Sequence, residues 1–341
     1  MSKKIVTEYK NIYKSSKRAK RGKKYHSSLA RFDMMELEGV HMLKEQLERG
    51  KYTVGPYSEF KVYEPKERKI MSCQYKDKVI QHCLCDYILH PVLKDEFIEC
   101  NAAGQKNKGT LYSMDKLKGH MLEHYKEHGT EGYILKCDIR KFFYEIDHEI
   151  LKDIVDYHFQ DRFIQNLNHI YIDSTEGKGL PLGNQVAQVY ALLMLNGMDH
   201  MITGELGIKY YGRYMDDFYL IHHSKAYLKE CLSNITMMVE SLELELNEKT
   251  QIAPIKRGIK YLGFHHYITE DGKYIRKVTG EKKREIKKKI RQQIKLVKAG
   301  RLTMDKFMES YNSRKAHLMQ GNCYKLCQSL DLFVKELLEK M

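Results

Sequence analysis

No apolar run in these 341 residues approaches the length needed to span a bilayer, and no apolar core follows the basic N-terminus as a secretory signal requires. The expectation is a cytoplasmic chain with no membrane partner. CxxC pairs are missing. The eight cysteines stand at 73, 83, 85, 100, 137, 231, 323 and 327, a scatter that excludes a zinc knuckle and suits reduced, buried thiols. Only five prolines occur, with no Pro- or Gly-rich linker, which argues for one compact body. Acids are in deficit: 45 Asp and Glu against 59 Lys and Arg leave a net charge of +14. An excess of that size implies a polyanionic partner, nucleic acid ahead of an anionic membrane surface.

What is present centres on Lys209–Ile221, where aromatic and apolar residues flank the pair Asp216-Asp217. Its Tyr, Phe and Ile content favours strands, so the stretch predicts a β-hairpin with the acids at or near its tip. Neighbouring strand residues point to opposite faces, so one acid is expected to face a reaction centre and the other its margin. Two carboxylates this close raise each other's pKa unless a cation lies between them. An oxygen-rich site for Mg²⁺ removes that conflict.

The remaining motifs follow in chain order. Residues 3–24 carry ten Lys or Arg with Tyr9, Tyr13 and Tyr25 nearby; a solvated arm and a phosphate-backbone grip are both open readings. A helix is predicted over 27–50, closed by Gly50. A strand pair is predicted over 57–71, turning at Glu64–Glu67 and carrying Lys66 and Arg68; it reads either as a charged edge strand or as cations suited to phosphate oxygens. Helices follow at about 77–89 and 111–128, the second opened by the basic loop Asn101–Thr110, which lacks the Walker pattern. An apolar strand ends in Asp138, followed by Phe142-Phe143. Asp138 reads either as a helix N-cap or as the third corner of a two-metal site, with ions about 3.5–4 Å apart. After a helical region at 149–172, Gly177–Gln188 opens a long apolar helix at 186–203, its glycines allowing close approach to a base or sugar. An amphipathic helix is predicted over 225–247. Between Arg276 and Arg301, twelve Lys or Arg face two Glu on a helical pattern, fit for a duplex backbone or a membrane surface.

In this order the motifs resemble those of reverse transcriptases, over about residues 50–330. Asp138 with Phe142-Phe143 resembles the first catalytic block, and Leu180-Pro181-Leu182-Gly183 the glycine block. Tyr214-Met215-Asp216-Asp217 resembles the catalytic hairpin, Asn247 with Lys249-Thr250 the block after it, and Tyr261-Leu262-Gly263-Phe264 the primer grip. The resemblance implies an α+β right-hand polymerase fold: fingers with the basic N-terminal arm over 1–130, a palm with an antiparallel sheet over 131–268, and a helical basic thumb over 269–341. It implies two Mg²⁺ ions, with Mn²⁺ as the alternative, at a metal set of Asp138, Ile139, Asp216 and Asp217. Lys66, Arg68, Phe143, Leu182, Gly183 and Gln188 are implied in nucleotide binding, Phe143 as a steric gate against ribose or else as an ordinary core aromatic. Tyr261, Leu262 and Gly263 are implied in gripping the primer, and Lys249 is either a proton donor to pyrophosphate or a solvated lysine. The implied partners are template RNA, a DNA primer and deoxynucleoside triphosphates.

The glycine block departs from the usual Gln-Gly form. Leu182-Gly183 followed by Ala187-Gln188 resembles the reverse transcriptases of diversity-generating retroelements, although Ala187 stands where Ser is usual there. That group implies error-prone copying of template adenines, an accessory protein and a structured template RNA. Retron-like and phage-defence reverse transcriptases, and an RNA-binding protein on an inactive polymerase scaffold, are the alternatives.

Overall fold

The computed structural model describes residues 2–23, 27–63 and 67–339. The chain opens with α1 (Ser2–Thr7) and α2 (Tyr9–Lys20), followed by α3 (Ser27–Met34) and α4 (Glu36–Glu48). Over its described residues the basic start is thus packed helix rather than a solvated arm. Val6, Ile12, Ser15, Ser16 and Ala19 are buried, and α2 packs on α5 (Tyr75–Leu84), where small residues let the helices approach. Lys17 pairs with Glu36, Arg18 with Asp86 and Lys20 with Asp33. Surface pairs of this kind contribute at most about 1 kcal/mol each, so the apolar stripe holds α2 in place. Lys24 and Tyr25 lie outside the described residues. The helix expected over 27–50 is broken at Met35, whose φ of −124° and ψ of 39° leave the helical region.

Strands β1 (Ser58–Val62) and β2 (Arg68–Ser72) form the expected antiparallel pair; residues 64–66, over which most of the turn is expected and which include Lys66, lie outside the described residues. Past α5, a π-helical turn at Cys85–Leu89 leads into α6 (His90–Leu93). Next come α7 (Thr110–His128), β3 (Tyr133–Asp138), the single turn α8 (Phe142–Glu145), α9 (His148–His158) and α10 (Arg162–Ile172). The helical region expected over 149–172 is made of these two helices, each N-capped by an aspartate, Asp147 and Asp161. The long apolar helix likewise divides into α11 (Gln185–Met194) and α12 (Asn196–His200), with a π turn at Met201–Glu205. The hairpin β4 (Tyr210–Tyr214) and β5 (Asp217–His222) precedes α13 (Lys225–Ser241), which stops six residues short of the expected end at 247, and β6 (Gln251–Pro254). After them come β7 (Ile259–Tyr261), β8 (Phe264–Ile268) and β9 (Tyr274–Lys277). The chain closes with α14 (Gly280–Lys298), α15 (Met304–Leu318) and α16 (Tyr324–Glu339). Arg276 and Lys277 thus belong to a strand rather than to the basic helix, and the antiparallel β7–β8–β9 sheet runs past the expected boundary at 268.

Among the described residues the central sheet has the order β4-β5-β3-β6, all antiparallel. Strand alternation sends its side chains to two hydrophobic cores. Leu135, Cys137, Phe218 and Leu220 join the core of the N-terminal helices with α9–α13. Ile134, Tyr210, Tyr219 and Ile221 join a second core with α7, the β7–β9 sheet and the C-terminal helices, where Ile286, Ile290 and Ile294 form the apolar stripe of α14. No helix among the described residues is long and apolar enough to cross a membrane.

Candidate active site

The register of the sheet brings the acids together. Asp138, the last residue of β3, lies directly opposite Asp217, the first of β5. Opposed residues on antiparallel strands share a face, so these two carboxylates stand side by side with Lys136, two residues earlier on β3. The face is the one that carries Ile134 and Tyr219 towards the C-terminal body. Asp216 sits in the two-residue turn joining β4 to β5, where Tyr214 pairs with Asp217. Met215, the other turn residue, has φ +56°, a left-handed conformation that hairpin turns usually reserve for Gly, Asn or Asp.

The electrostatics call for a cation. Burial, with help from Asp138, pushes the Asp216 carboxyl above its ordinary range, while Arg68 and Lys136 oppose the rise. Burial and the two neighbouring carboxylates push Asp217 up to about 6 against the pull of Lys136. The Lys136 Nζ is 3.2 Å from Asp217 Oδ1 but off the hydrogen-bonding direction, so this buried oxygen has no hydrogen-bond partner among the described residues. A desolvated carboxylate oxygen that its ion-paired lysine leaves without a well-directed hydrogen bond fits a hard divalent cation. No group of three or more His, Cys, Asp or Glu side chains among the described residues already stands in metal-ligand geometry. The acids converge at one end of the sheet without forming such a group. Ile139 has a buried side chain that cannot ligate. Its bridge to Leu246 is framed by the bonds Arg140 N–Glu245 O and Asn247 N–Asp138 O, which leaves its own carbonyl directed away from Leu246, towards the hairpin side.

The glycine block packs against both α8 and β2. Leu180 N donates to Phe143 O at 2.7 Å and Gly179 N to Ile146 O at 2.8 Å. Gly179 has φ +92°, and a Cβ there would lie 2.7 Å from Tyr144 O. On the other side Met71 N donates to Leu182 O at 2.9 Å, and a Cβ on Gly183 would meet Met71 O at 3.0 Å. These glycines therefore serve chain-to-chain packing, in addition to any nucleotide approach. Phe142 is buried while Phe143 is half-buried, their rings edge to face at 5.6 Å. Gln188 is exposed on α11, and Ala187 is buried.

Other predicted residues spread around this centre. Arg68, exposed at the start of β2, acts electrostatically on Asp216. Asn247 is tied to β3 through its N–H to Asp138 O, and its side chain caps Lys249 N at 3.1 Å. Exposed Lys249 lines a cleft of about 890 Å³ with Lys136, Arg257, Lys260, His265 and Lys277. Tyr261 is buried, bonded to Ser113 Oγ at 2.6 Å and edge-on to Tyr219 at 5.3 Å. Leu262 and Gly263 form the β7–β8 turn at φ +46° and +88°, beside His317 of α15.

Sequence reasoning does not single out Lys136, Tyr219 or Arg213. For Arg213 the signal was available: an arginine inside an apolar strand needs a buried acid, and Asp199 lies in the apolar stretch before it.

A family model described as reverse transcriptase (RNA-dependent DNA polymerase) matches residues 64–266, more than half of the chain. Among solved structures, the chain is similar to telomerase from Candida albicans in complex with a TWJ fragment of telomeric RNA. There the identity is 12% over 89% of this chain and 58% of that chain, with a TM-score of 0.50. It is also similar to apo telomerase from Candida tropicalis truncated from the C-terminal domain, at 15% identity over 64% of this chain and 56% of that chain, with a TM-score of 0.44. The chain thus spans less than three-fifths of either telomerase chain, and the first likeness bears on the fold alone. The comparison with curated proteins finds no match. Helices enclosing antiparallel sheets, together with the family match, make this a right-hand polymerase fold.

Proposed function

The chain belongs to the reverse transcriptase (RNA-dependent DNA polymerase) family, and we propose that it extends a DNA primer on an RNA template with deoxynucleoside triphosphates. The observation that carries this reading is the convergence of Asp138, Asp216 and Asp217 at one end of the sheet, where burial and mutual repulsion favour a bound cation. Reverse transcriptase domains generally use divalent metal ions. In our reading Asp138, Asp216, Asp217 and the Ile139 carbonyl hold two Mg²⁺. When bound, these ions supply Lewis-acid activation of the primer hydroxyl and neutralise the leaving pyrophosphate. Arg68 adds positive charge for the triphosphate, joined in our proposal by Lys66. Phe143, held by its carbonyl bond to Leu180, bounds the sugar, while Leu182, Gly183 and Gln188 border the nascent pair. The Tyr261–Gly263 turn supports the primer, and Lys249 is poised to give a proton to pyrophosphate. We draw the fingers over 1–130 and the palm from 131. The thumb follows β9 and carries the basic face of α14 against the duplex. Primer extension on RNA that needs a divalent ion tests the reading; an RNA-binding protein without catalysis binds but consumes no deoxynucleotide.

The metal proposal has a readout independent of catalysis. An acid whose folded pKa is raised costs stability once it ionises, so without metal the fold is expected to lose stability as pH rises from about 4, the unfolded aspartate value, to about 6, the value for Asp217. A divalent ion offsets that loss. Mg²⁺ or Mn²⁺ should therefore raise the unfolding midpoint at pH 7.5 and leave it nearly unchanged at pH 5. Equal effects at both pH values would argue against ions at these carboxylates.

Two substitutions test the nucleotide site. Phe143→Ala is expected to relax sugar discrimination by about 10–200-fold, the range for a pocket altered by a small group; unchanged ribonucleotide exclusion in single-turnover assays removes the gate role. We further propose an error-prone enzyme of the diversity-generating retroelement type, acting with a structured RNA and an accessory protein, because Leu182 replaces the usual glutamine. Leu182→Gln is then expected to lower misincorporation opposite template adenine selectively. An unaltered error spectrum favours a retron-like or defence role.

A further inference from the structure

Arg213 is fully buried, and so is its partner Asp199 on α12. Its Nε donates to Asp199 Oδ1 at 2.7 Å and its NH2 to Asp199 Oδ2, a bidentate pair, while Tyr211 OH donates to the same Oδ1 at 2.6 Å. Its NH2 also reaches Leu192 O of α11 at 3.3 Å, and its NH1 donates to Met215 O at 3.0 Å. The Arg213 backbone is held as well, accepting from Ala102 N at 2.9 Å and donating to Cys100 O at 3.0 Å. Met215 immediately precedes Asp216 and holds the unfavourable φ of +56°. A turn carrying a large side chain in the left-handed region relaxes unless its surroundings over-determine it. Here the restraint is a guanidinium whose planar fork engages one carboxylate bidentately while a further N–H reaches the turn carbonyl, a geometry lysine cannot reproduce.

Resting on the polymerase reading above, we propose that Arg213, locked by Asp199, is a positioning residue for catalysis: it holds the Met215 carbonyl and so fixes the turn that presents Asp216. A merely structural ion pair would join α12 to β4 without touching the turn. The contact to Met215 gives Arg213 a specific effect on the catalytic step.

The test compares the full-length parent with Arg213→Met/Asp199→Leu and with Arg213→Lys. Replacing both members of a buried pair by apolar residues commonly preserves folding. In the double variant we expect primer–template affinity and KM for deoxynucleotide near the parental values and kcat lower by about 100-fold, the cost of misplacing a reacting group by about 1 Å. Arg213→Lys is expected to show the same kcat-specific loss. Adding Met215→Gly, which removes the conformational penalty at the turn, is expected to recover part of the rate in the Arg213→Lys background. Parental kcat in a folded double variant overturns the proposal. If the double variant does not fold, parental kcat in Arg213→Lys overturns it instead. A loss in which affinity and kcat fall and KM rises together, without rescue by Met215→Gly, also overturns it and assigns a structural role. A parent that extends no primer refutes the polymerase reading itself, a result distinct from all of these.

Discussion

Asp216→Asn is expected to reduce primer extension by about three orders of magnitude while making the metal-free protein more stable. The first effect follows from the several kcal/mol of charge stabilisation that metal catalysis supplies, each ~1.4 kcal/mol being tenfold in rate. The second follows from the environment of the carboxyl, which burial and Asp138 hold above its ordinary pKa. Removing one charge from a repelling, desolvated group relieves the fold. A higher unfolding midpoint together with lost extension is therefore the signature of a site that sacrifices stability for metal binding. Asp138→Asn is expected to behave alike in extension. Parental extension rates in both variants would refute the metal-site assignment, whatever the protein's affinity for RNA.

Gly179→Ala is the second substitution with a large expected effect, this time on the fold. At φ +92° any side chain is strained, and the new Cβ would lie 2.7 Å from Tyr144 O and 2.9 Å from Tyr144 Cα, both main-chain atoms. Backbone strain of about 1–3 kcal/mol and overpacking of about 1–3 kcal/mol give an expected loss of about 2–6 kcal/mol in urea unfolding. If the chain remains folded, it relieves the clash by moving α8 away from the glycine block, and Phe143 moves with it. Weaker deoxynucleotide binding and poorer sugar discrimination should then accompany the stability loss. Parental stability and discrimination would mean that the 177–180 segment does not brace Phe143.

The sequence discloses the parts of the site that are local. Lys209–Ile221 reads as a hairpin because its Tyr, Phe and Ile favour strands on either side of two acids, and the glycines of Gly177–Gln188 read as a place of close backbone approach before a helix. Asp138 is legible as the polar end of an apolar strand. The partners that complete these features are not local. Lys136 looks like any strand lysine until the register sets it on the face shared by Asp138 and Asp217. The contact of Gly179 with Tyr144 requires knowing that α8 lies beneath the loop. In the fold, α2 escapes notice because Ser15, Ser16 and Ala19, the residues that let it pack, carry little hydrophobic signal among so many lysines. The helix expected over 27–50 breaks at Met35 and the one expected over 186–203 at Leu195, whereas the division of the helical region over 149–172 is marked in the sequence by the N-cap Asp161.

The hydrogen bond from Met71 to Leu182 joins two separate parts of the proposed nucleotide site. It fastens the β1–β2 hairpin, which bears Arg68, to the loop that would border the templating base. Any swing of that hairpin as a triphosphate arrives must pull on the loop, as one arm of a lever moves the other. On the roles proposed above, grip on the phosphates and scrutiny of the base would be geared together, so a change that loosens one would register in the other.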